Sequence, residues 1–174
     1  LIKELTMLPL HINVQNKNVL IVGGGSVALR RLQLFLEEDA HVTVVSPAVV
    51  DEIKNLAQSC QLIWKKKKIE VSDLREAFII IAATNDHQIN EWVAKQVTPN
   101  QLINVASNAE QGNVIVPKSI QKGRLTLSVS TNGASPKLAK QICEQISHQF
   151  DESFIKELDI MYEKRQENKK KKGK

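Results

Sequence analysis

Residues 18–28 read Asn18-Val19-Leu20-Ile21-Val22-Gly23-Gly24-Gly25-Ser26-Val27-Ala28. After Asn18 come four apolar residues without a polar interruption, three of them β-branched. That is the pattern of a strand covered on both faces, as in a parallel sheet. Three glycines follow at once. A helical pattern then opens, with Val27, Ala28, Leu32, Phe35 and Leu36 recurring at three- and four-residue intervals. A second strand, Val42-Thr43-Val44-Val45, closes at Ser46-Pro47. Strand, glycine turn, helix and strand in this order make a βαβ unit.

The alternation continues outward. Val49 to Ala57 reads as a short helix and Leu62-Ile63-Trp64 as a strand running into Lys65-Lys66-Lys67-Lys68. A helical turn is expected at Leu74 to Ala77. Residues 77–83, Ala-Phe-Ile-Ile-Ile-Ala-Ala, form the strongest strand signal and end at Thr84-Asn85-Asp86. Residues 87–97 are helical in pattern, and Leu102 to Val105 is a further strand. Strands alternating with helices predict an α/β, doubly wound, mostly parallel sheet.

Near residue 113 the pattern changes. Val114 to Pro117 is a short apolar run. Leu125 to Ser130 alternates apolar and polar, which suits an antiparallel strand with one covered face. Ser135-Pro136 reads as a helix N-cap with proline at the first helical position, before a helix running through Leu138, Ala139, Ile142 and Ile146 towards Phe150. A last amphipathic stretch, Phe154 to Tyr162, leads into a basic tail.

Composition bounds the function. The chain has 174 residues, 42% apolar and 25% charged, which is globular and excludes a fibrous or mostly disordered protein. No apolar run approaches the roughly 18 residues of a membrane span, and no secretory signal is visible at the start. Net charge is +5, but residues 164–174 alone carry +6. The body is thus near neutral, which argues against a nucleic-acid-binding face. Cys60 and Cys143 have no CxxC partner and read as reduced thiols of a cytoplasmic protein. The four histidines show no zinc spacing, so no metal site is expected.

Gly23-Gly24-Gly25-Ser26-Val27-Ala28 fits G-x-G-x-x-A in the context that the dinucleotide fingerprint requires, after a buried strand and opening a helix. Gly23 allows the tight turn, Gly25 lets the backbone approach a pyrophosphate, and Ala28 lets the helix pack on the strand. The helix N-terminus offers N–H groups to the phosphates. The bland alternative is a glycine turn that serves packing alone. At the end of the second strand, where an acidic residue usually takes the ribose of NAD, stand Ser46, Pro47 and Ala48. No arginine stands there for a 2′-phosphate, so this position leaves NAD and NADP open. Thr84, Asn85 and Asp86 end a central strand, at the sheet edge that lines ligand crevices. They can equally cap the next helix.

The strings VGGGSVALRR, VTVVSP, AATND, INVASN, GNVIVP and KGRLTLSVSTNGASPKLAK occur here in sequence. In order and spacing the chain resembles the precorrin-2 dehydrogenase / sirohydrochlorin ferrochelatase family of sirohaem synthesis, over residues 7–150. Members usually begin near Met7-Leu8-Pro9-Leu10. With no methyltransferase segment following, the chain looks like the stand-alone module. The resemblance implies a Rossmann-type NAD-binding domain over 7–113, a small dimerisation domain over 114–148 and a helical C-terminal segment over 149–174. It implies a homodimer with a substrate cleft between the nucleotide domain and the rest. It implies oxidation of the tetrapyrrole precorrin-2 to sirohydrochlorin by NAD⁺, and in some members insertion of Fe²⁺. A polycarboxylate substrate asks for cations, and Arg124, Lys118, Lys137 and Lys140 are the nearest candidates beyond the boundary.

The chain departs from the family at one place. Many members carry Asn-Val-Val-Asp, and that aspartate is thought to serve both reactions. Here the string is Asn104-Val105-Ala106-Ser107. Ser107 is a poor base without an activating partner, Glu110 lies three residues on, and Ser130 is a second polar candidate carried over from the strand-end string. The departure predicts an active dehydrogenase with weak or no chelatase. Two other readings stay open on sequence alone: a non-catalytic Rossmann nucleotide sensor, and another NAD(P) oxidoreductase on the same fold.

Overall fold

The computed structural model describes residues 7–172. The chain divides between Ile115 and Val116 into two compact units, each with its own packing.

The first unit holds a five-stranded parallel sheet of β1 (Asn18–Val22), β2 (His41–Val45), β3 (Ile63–Lys65), β4 (Ile79–Ala82) and β5 (Leu102–Val105), in the order β3-β2-β1-β4-β5. The chain winds from β1 to one edge and restarts beside β1 at β4, so the strand order reverses between β1 and β4. The two most apolar runs in the sequence become these two central strands. All four residues of β4 are buried, as are the last four of β1. Truncating Ile80 or Ile81, both fully buried, to Ala would cost about 2–5 kcal/mol. The doubly wound parallel sheet read from the sequence is the fold observed.

The helices of this unit are α1 (Ser26–Leu36), α2 (Asp51–Gln58), α3 (Val71–Leu74) and α4 (His87–Gln96). Helix α1 buries Ala28, Leu32 and Phe35. Helix α3 lies earlier than the turn expected at Leu74 to Ala77. A reciprocal capping box, Glu70 with Asp73, starts it there. Val114 to Pro117 is not a strand. Asn113 and Val114 donate backbone N–H groups to Ile103 O, while Asn113 Oδ1 accepts from Ile103 N at 2.8 Å. The segment thereby covers the open edge of β5.

The second unit begins with a hairpin, β6 (Lys118–Lys122) and β7 (Leu125–Val129). Gly123, at φ +55°, and Arg124 form a two-residue turn with the positive φ at its first central position. Register places Lys118, Ile120, Lys122, Leu125, Leu127 and Val129 on one face. Ser119, Gln121, Thr126 and Ser128 lie on the other. Helix α5 (Pro136–Ser147) packs on the hairpin, and Ser135 Oγ accepts from Leu138 N at its start. Of the apolar residues expected along it, Ile142 and Ile146 are half-buried. Ala139, Cys143 and Ser147 are buried, and Leu138 is exposed. A stripe of small residues lets the backbones approach, as the 3.9 Å contacts of Cys143 Sγ with Lys118 O and Leu127 O show. Helix α6 (Glu152–Lys172) runs unbroken into the lysine-rich end.

Candidate active site

The three glycines do three different things. Gly23 sits at φ +122°, where a side chain would run into the carbonyl of Ala83, the residue after β4. A Cβ on Gly24 would strike the backbone of Ala48 and Val49, and Val50 N donates to Gly24 O at 2.8 Å. Gly24 is therefore demanded by the loop after β2. Gly25 has ordinary extended backbone, φ −89°, and a Cβ there would meet nothing within 4 Å. It faces open space at the start of α1, and no side chain caps that helix. Ser26 and Val27 form the first turn, with N–H groups that no intrahelical carbonyl can reach. An open, uncapped N-terminus of an eleven-residue helix beside a glycine fits a dinucleotide pyrophosphate.

Ser46, at the end of β2, is 8% exposed. Its hydroxyl donates to Ala48 O at 2.6 Å, and its carbonyl accepts from Trp64 Nε1 at 3.0 Å. The Ser46-Pro47-Ala48 turn is thus fixed from within and from β3, while Pro47 and Ala48 themselves are exposed. Beyond β3, Asp73 has only 3% of its side chain exposed and pairs with Lys65 at 3.0 Å and Lys67 at 2.9 Å. Burial pushes this carboxyl towards its neutral form. Hydrogen bonds from Lys67, Lys65 and the Glu70 N–H outweigh that and hold it below the usual carboxylate range.

At the end of β4 the organising residue is Asn90 of α4, fully buried and missed in the sequence. Thr84 N and Oγ1 both donate to Asn90 Oδ1, at 3.1 and 2.8 Å. Asn90 Nδ2 donates to Thr84 O at 3.0 Å and to Ser107 Oγ at 3.3 Å. One amide therefore ties the loop after β4 to the loop after β5. The signal was a lone amide beside Ile89, Trp92 and Val93 on the apolar face of α4. Asp86 caps α4, accepting from Gln88 N and Ile89 N. Asn85 is exposed between Thr84 and Asp86. Ser107 is exposed and accepts from Asn90, which leaves its hydroxyl proton free to donate. Glu110 is exposed on a short 3₁₀ helix, Ala109–Gln111, capped by Asn108.

The remaining sequence-predicted residues lie in the second unit. Ser130 is exposed, and its Oγ accepts from Asn132 N at 3.1 Å. Arg124 Nε donates to Asp159 Oδ1 at 2.9 Å, and its guanidinium lies 3.5 Å over the Tyr162 ring. Its charge is thus already partnered by α6. Lys118 and Lys137 are exposed and form no ion pair among the described residues. Lys140 lies 3.7 Å from Glu144. No group of three or more potential metal ligands occurs among the described residues, and no described helix is long and apolar enough to cross a membrane.

The chain is similar to known proteins along most of its length. A family model described as NAD(P)-binding matches residues 10–118, and one described as sirohaem biosynthesis protein central matches residues 122–149. The chain is 46% identical over 159 residues to a precorrin-2 dehydrogenase of Bacillus subtilis, covering 91% of this chain and 98% of that one. It is 41% identical to a precorrin-2 dehydrogenase of Priestia megaterium, covering 90% and 78% of the two chains. The solved structure of SirC, precorrin-2 dehydrogenase, superimposes with a TM-score of 0.79 at 41% identity, covering 90% of this chain and 78% of that one.

Proposed function

The chain belongs to the precorrin-2 dehydrogenase family, and from that premise we propose how its residues carry out the family's reaction. The protein oxidises precorrin-2 to sirohydrochlorin, with NAD⁺ as its cofactor. The observation that carries the reading is the match to a precorrin-2 dehydrogenase along 98% of that relative's length. The open cradle at Gly25 supports the cofactor.

When bound, NAD⁺ supplies the hydride acceptor. The tetrapyrrole loses one hydride and one proton, so the protein's tasks are to position, to bind anions and to pass on a proton. Gly25, Ser26 and Val27 hold the pyrophosphate through backbone N–H groups. Ser46, Pro47 and Ala48 shape the place of the adenosine ribose. The Thr84-Asn85-Asp86 loop, locked by Asn90, lines the crevice where the strand order reverses. Glu110 takes the proton, and Ser107 donates a hydrogen bond rather than acting as base. Ser130 is a further polar contact to substrate. Lys118 and Lys137 bind substrate carboxylates, with the guanidinium edge of Arg124 that Asp159 leaves open.

With serine at position 107 where many relatives carry a carboxylate base, Fe²⁺ insertion is weak or absent. The second unit serves dimerisation through the hairpin, whose polar face of Ser119, Gln121, Thr126 and Ser128 lies opposite the face register assigns to Ile120 and Leu127. The unpaired state of Cys60 and Cys143 supports a cytoplasmic location.

The test is anaerobic conversion of precorrin-2, followed by absorbance. NAD⁺-dependent appearance of sirohydrochlorin is expected, and its absence with NAD⁺ bound would overturn the activity. Glu110→Gln should lower kcat more than tenfold, as loss of a general base does. An unchanged kcat would assign the proton to water.

A further inference from the structure

The lysine run that follows β3 has no part in the mechanism above, and the sheet register gives it a place. Strands β2 and β3 are parallel, with Val45 opposite Lys65, and Ser46 N donates to Lys65 O at 3.3 Å. Lys66 is thus the β3-side neighbour of Ser46, at the strand end where dinucleotide folds hold the adenosine ribose. Its ammonium lies 5.9 Å over the Trp64 ring, and the Trp64 indole N–H donates to Ser46 O. Lys65 and Lys67 are paired to Asp73, and Lys67 to Glu70 as well. Lys66 has no ion pair among the described residues.

Sites that accept NAD and reject NADP do so largely with a carboxylate at the end of the second strand, which binds the 2′-hydroxyl and repels a 2′-phosphate. Here that carboxylate is replaced by Ser46, whose hydroxyl is turned to Ala48 O. Nothing at that position repels a phosphate, and beside it stands a cation that has no ion pair among the described residues. We propose that the cofactor site also takes the 2′-phosphorylated dinucleotide, with Lys66 as the residue that sets the ratio of NADP⁺ to NAD⁺ affinity. Asp51 and Glu52 open α2 a few residues after Ser46 and keep the gain modest, since exposed charges are screened. The inference rests on the dinucleotide-site reading of the glycine turn.

Binding, read by calorimetry or by quenching of tryptophan fluorescence, tests it without turnover. NAD⁺, NADP⁺ and 2′,5′-ADP are titrated into the unmodified protein, Lys66→Ala and Lys66→Arg. We expect NADP⁺ to bind within about tenfold of NAD⁺, and the ratio of their dissociation constants to rise about tenfold in Lys66→Ala. Lys66→Arg should hold the original ratio. Added salt should weaken NADP⁺ more than NAD⁺. NADP⁺ binding more than about tenfold weaker than NAD⁺ in the unmodified protein, or a ratio indifferent to Lys66→Ala, overturns the proposal and leaves the NAD⁺ site standing. Failure of both dinucleotides to bind removes the underlying reading as well.

Discussion

Asn90 and Thr84 pair as two backbone segments do: the Asn90 carbonyl oxygen accepts from Thr84 N–H and O–H, and its amide nitrogen donates back to Thr84 O at 3.0 Å. The same nitrogen reaches Ser107 Oγ at 3.3 Å. A fully buried amide with its hydrogen bonds made is favourable. Removing it strands partners that water reaches poorly. Asn90→Ala should therefore destabilise the protein by about 2–3 kcal/mol in urea unfolding. It should also raise the KM for NAD⁺, because the loops after β4 and β5 lose their common anchor. Asn90→Ala with unchanged stability and KM would mean that the loops hold their positions alone.

Gly24 and Gly25 are neighbours with opposite reasons to be glycine. A methyl group on Gly24 meets the backbone of Ala48 and Val49, while one on Gly25 meets no protein atom within 4 Å. Gly25→Ala should still fold, with a stability loss of about 1 kcal/mol, since alanine is a poorer N-cap than glycine. The added methyl group occupies the pyrophosphate's place, so NAD⁺ affinity should fall more than tenfold. Gly24→Ala should show the reverse order, with a large loss of stability from backbone overlap. Parallel denaturation and calorimetry distinguish the two. Equal stability losses would mean that Gly25 serves packing and not the cofactor.

What the sequence made legible follows from where local pattern and tertiary demand agree. The runs 19–22 and 79–82 declare central parallel strands because nothing but burial on both faces suits them. The glycine turn declares its place for the same reason. Strand β6, Lys-Ser-Ile-Gln-Lys, carries no strand signal because a two-stranded hairpin covered on one face needs only Ile120 and the half-buried Lys122 there. In helix α5 the apolar residues Leu138, Ala139, Ile142 and Ile146 do not by themselves reveal that Leu138 is exposed and that Cys143 and Ser147 are buried. The hairpin approaches closely, and Ala139, Cys143 and Ser147 fit. Asn90 was passed over as one amide on an apolar face. The position of Lys66 beside Ser46 required the register of β2 with β3, which composition does not reveal.

Asp73 gives the first unit an acid-sensitive point. Burial disfavours its charge, but Lys67, Lys65 and the Glu70 N–H together lower its pKa below the ordinary carboxylate value. A folded-state pKa below the unfolded one stabilises the fold above the unfolded value, about 3.9 for Asp, and that contribution is lost as pH falls through the folded value. Stability should therefore decline as pH drops below about 4. Asp73→Asn should be less stable at pH 7, and its stability should change less over the acid range. Parallel acid dependences in the two proteins would assign the decline to other carboxylates.

The second unit is held at one end by a single ammonium. Lys122 Nζ donates to Ser147 O at 2.8 Å and to Phe150 O at 3.0 Å, where α5 ends. The last carbonyls of a helix lack intrahelical donors and carry the negative end of its dipole, so a cation there satisfies both. The stem of Lys122 lies on the hairpin face that register shares with Leu125, so a change to methionine keeps the stem and removes only the charge and its hydrogen bonds. Lys122→Met should cost about 1–2 kcal/mol, the range for hydrogen bonds from a charged donor that is only part-buried. Hydrogen exchange should quicken at His148, Gln149 and Phe150, whose N–H groups close the turn after α5. Faster exchange there, with β1 and β4 amides unaltered, is the expected result. Unchanged exchange at those three amides would show that Ser147 and Phe150 hold the turn without the lysine.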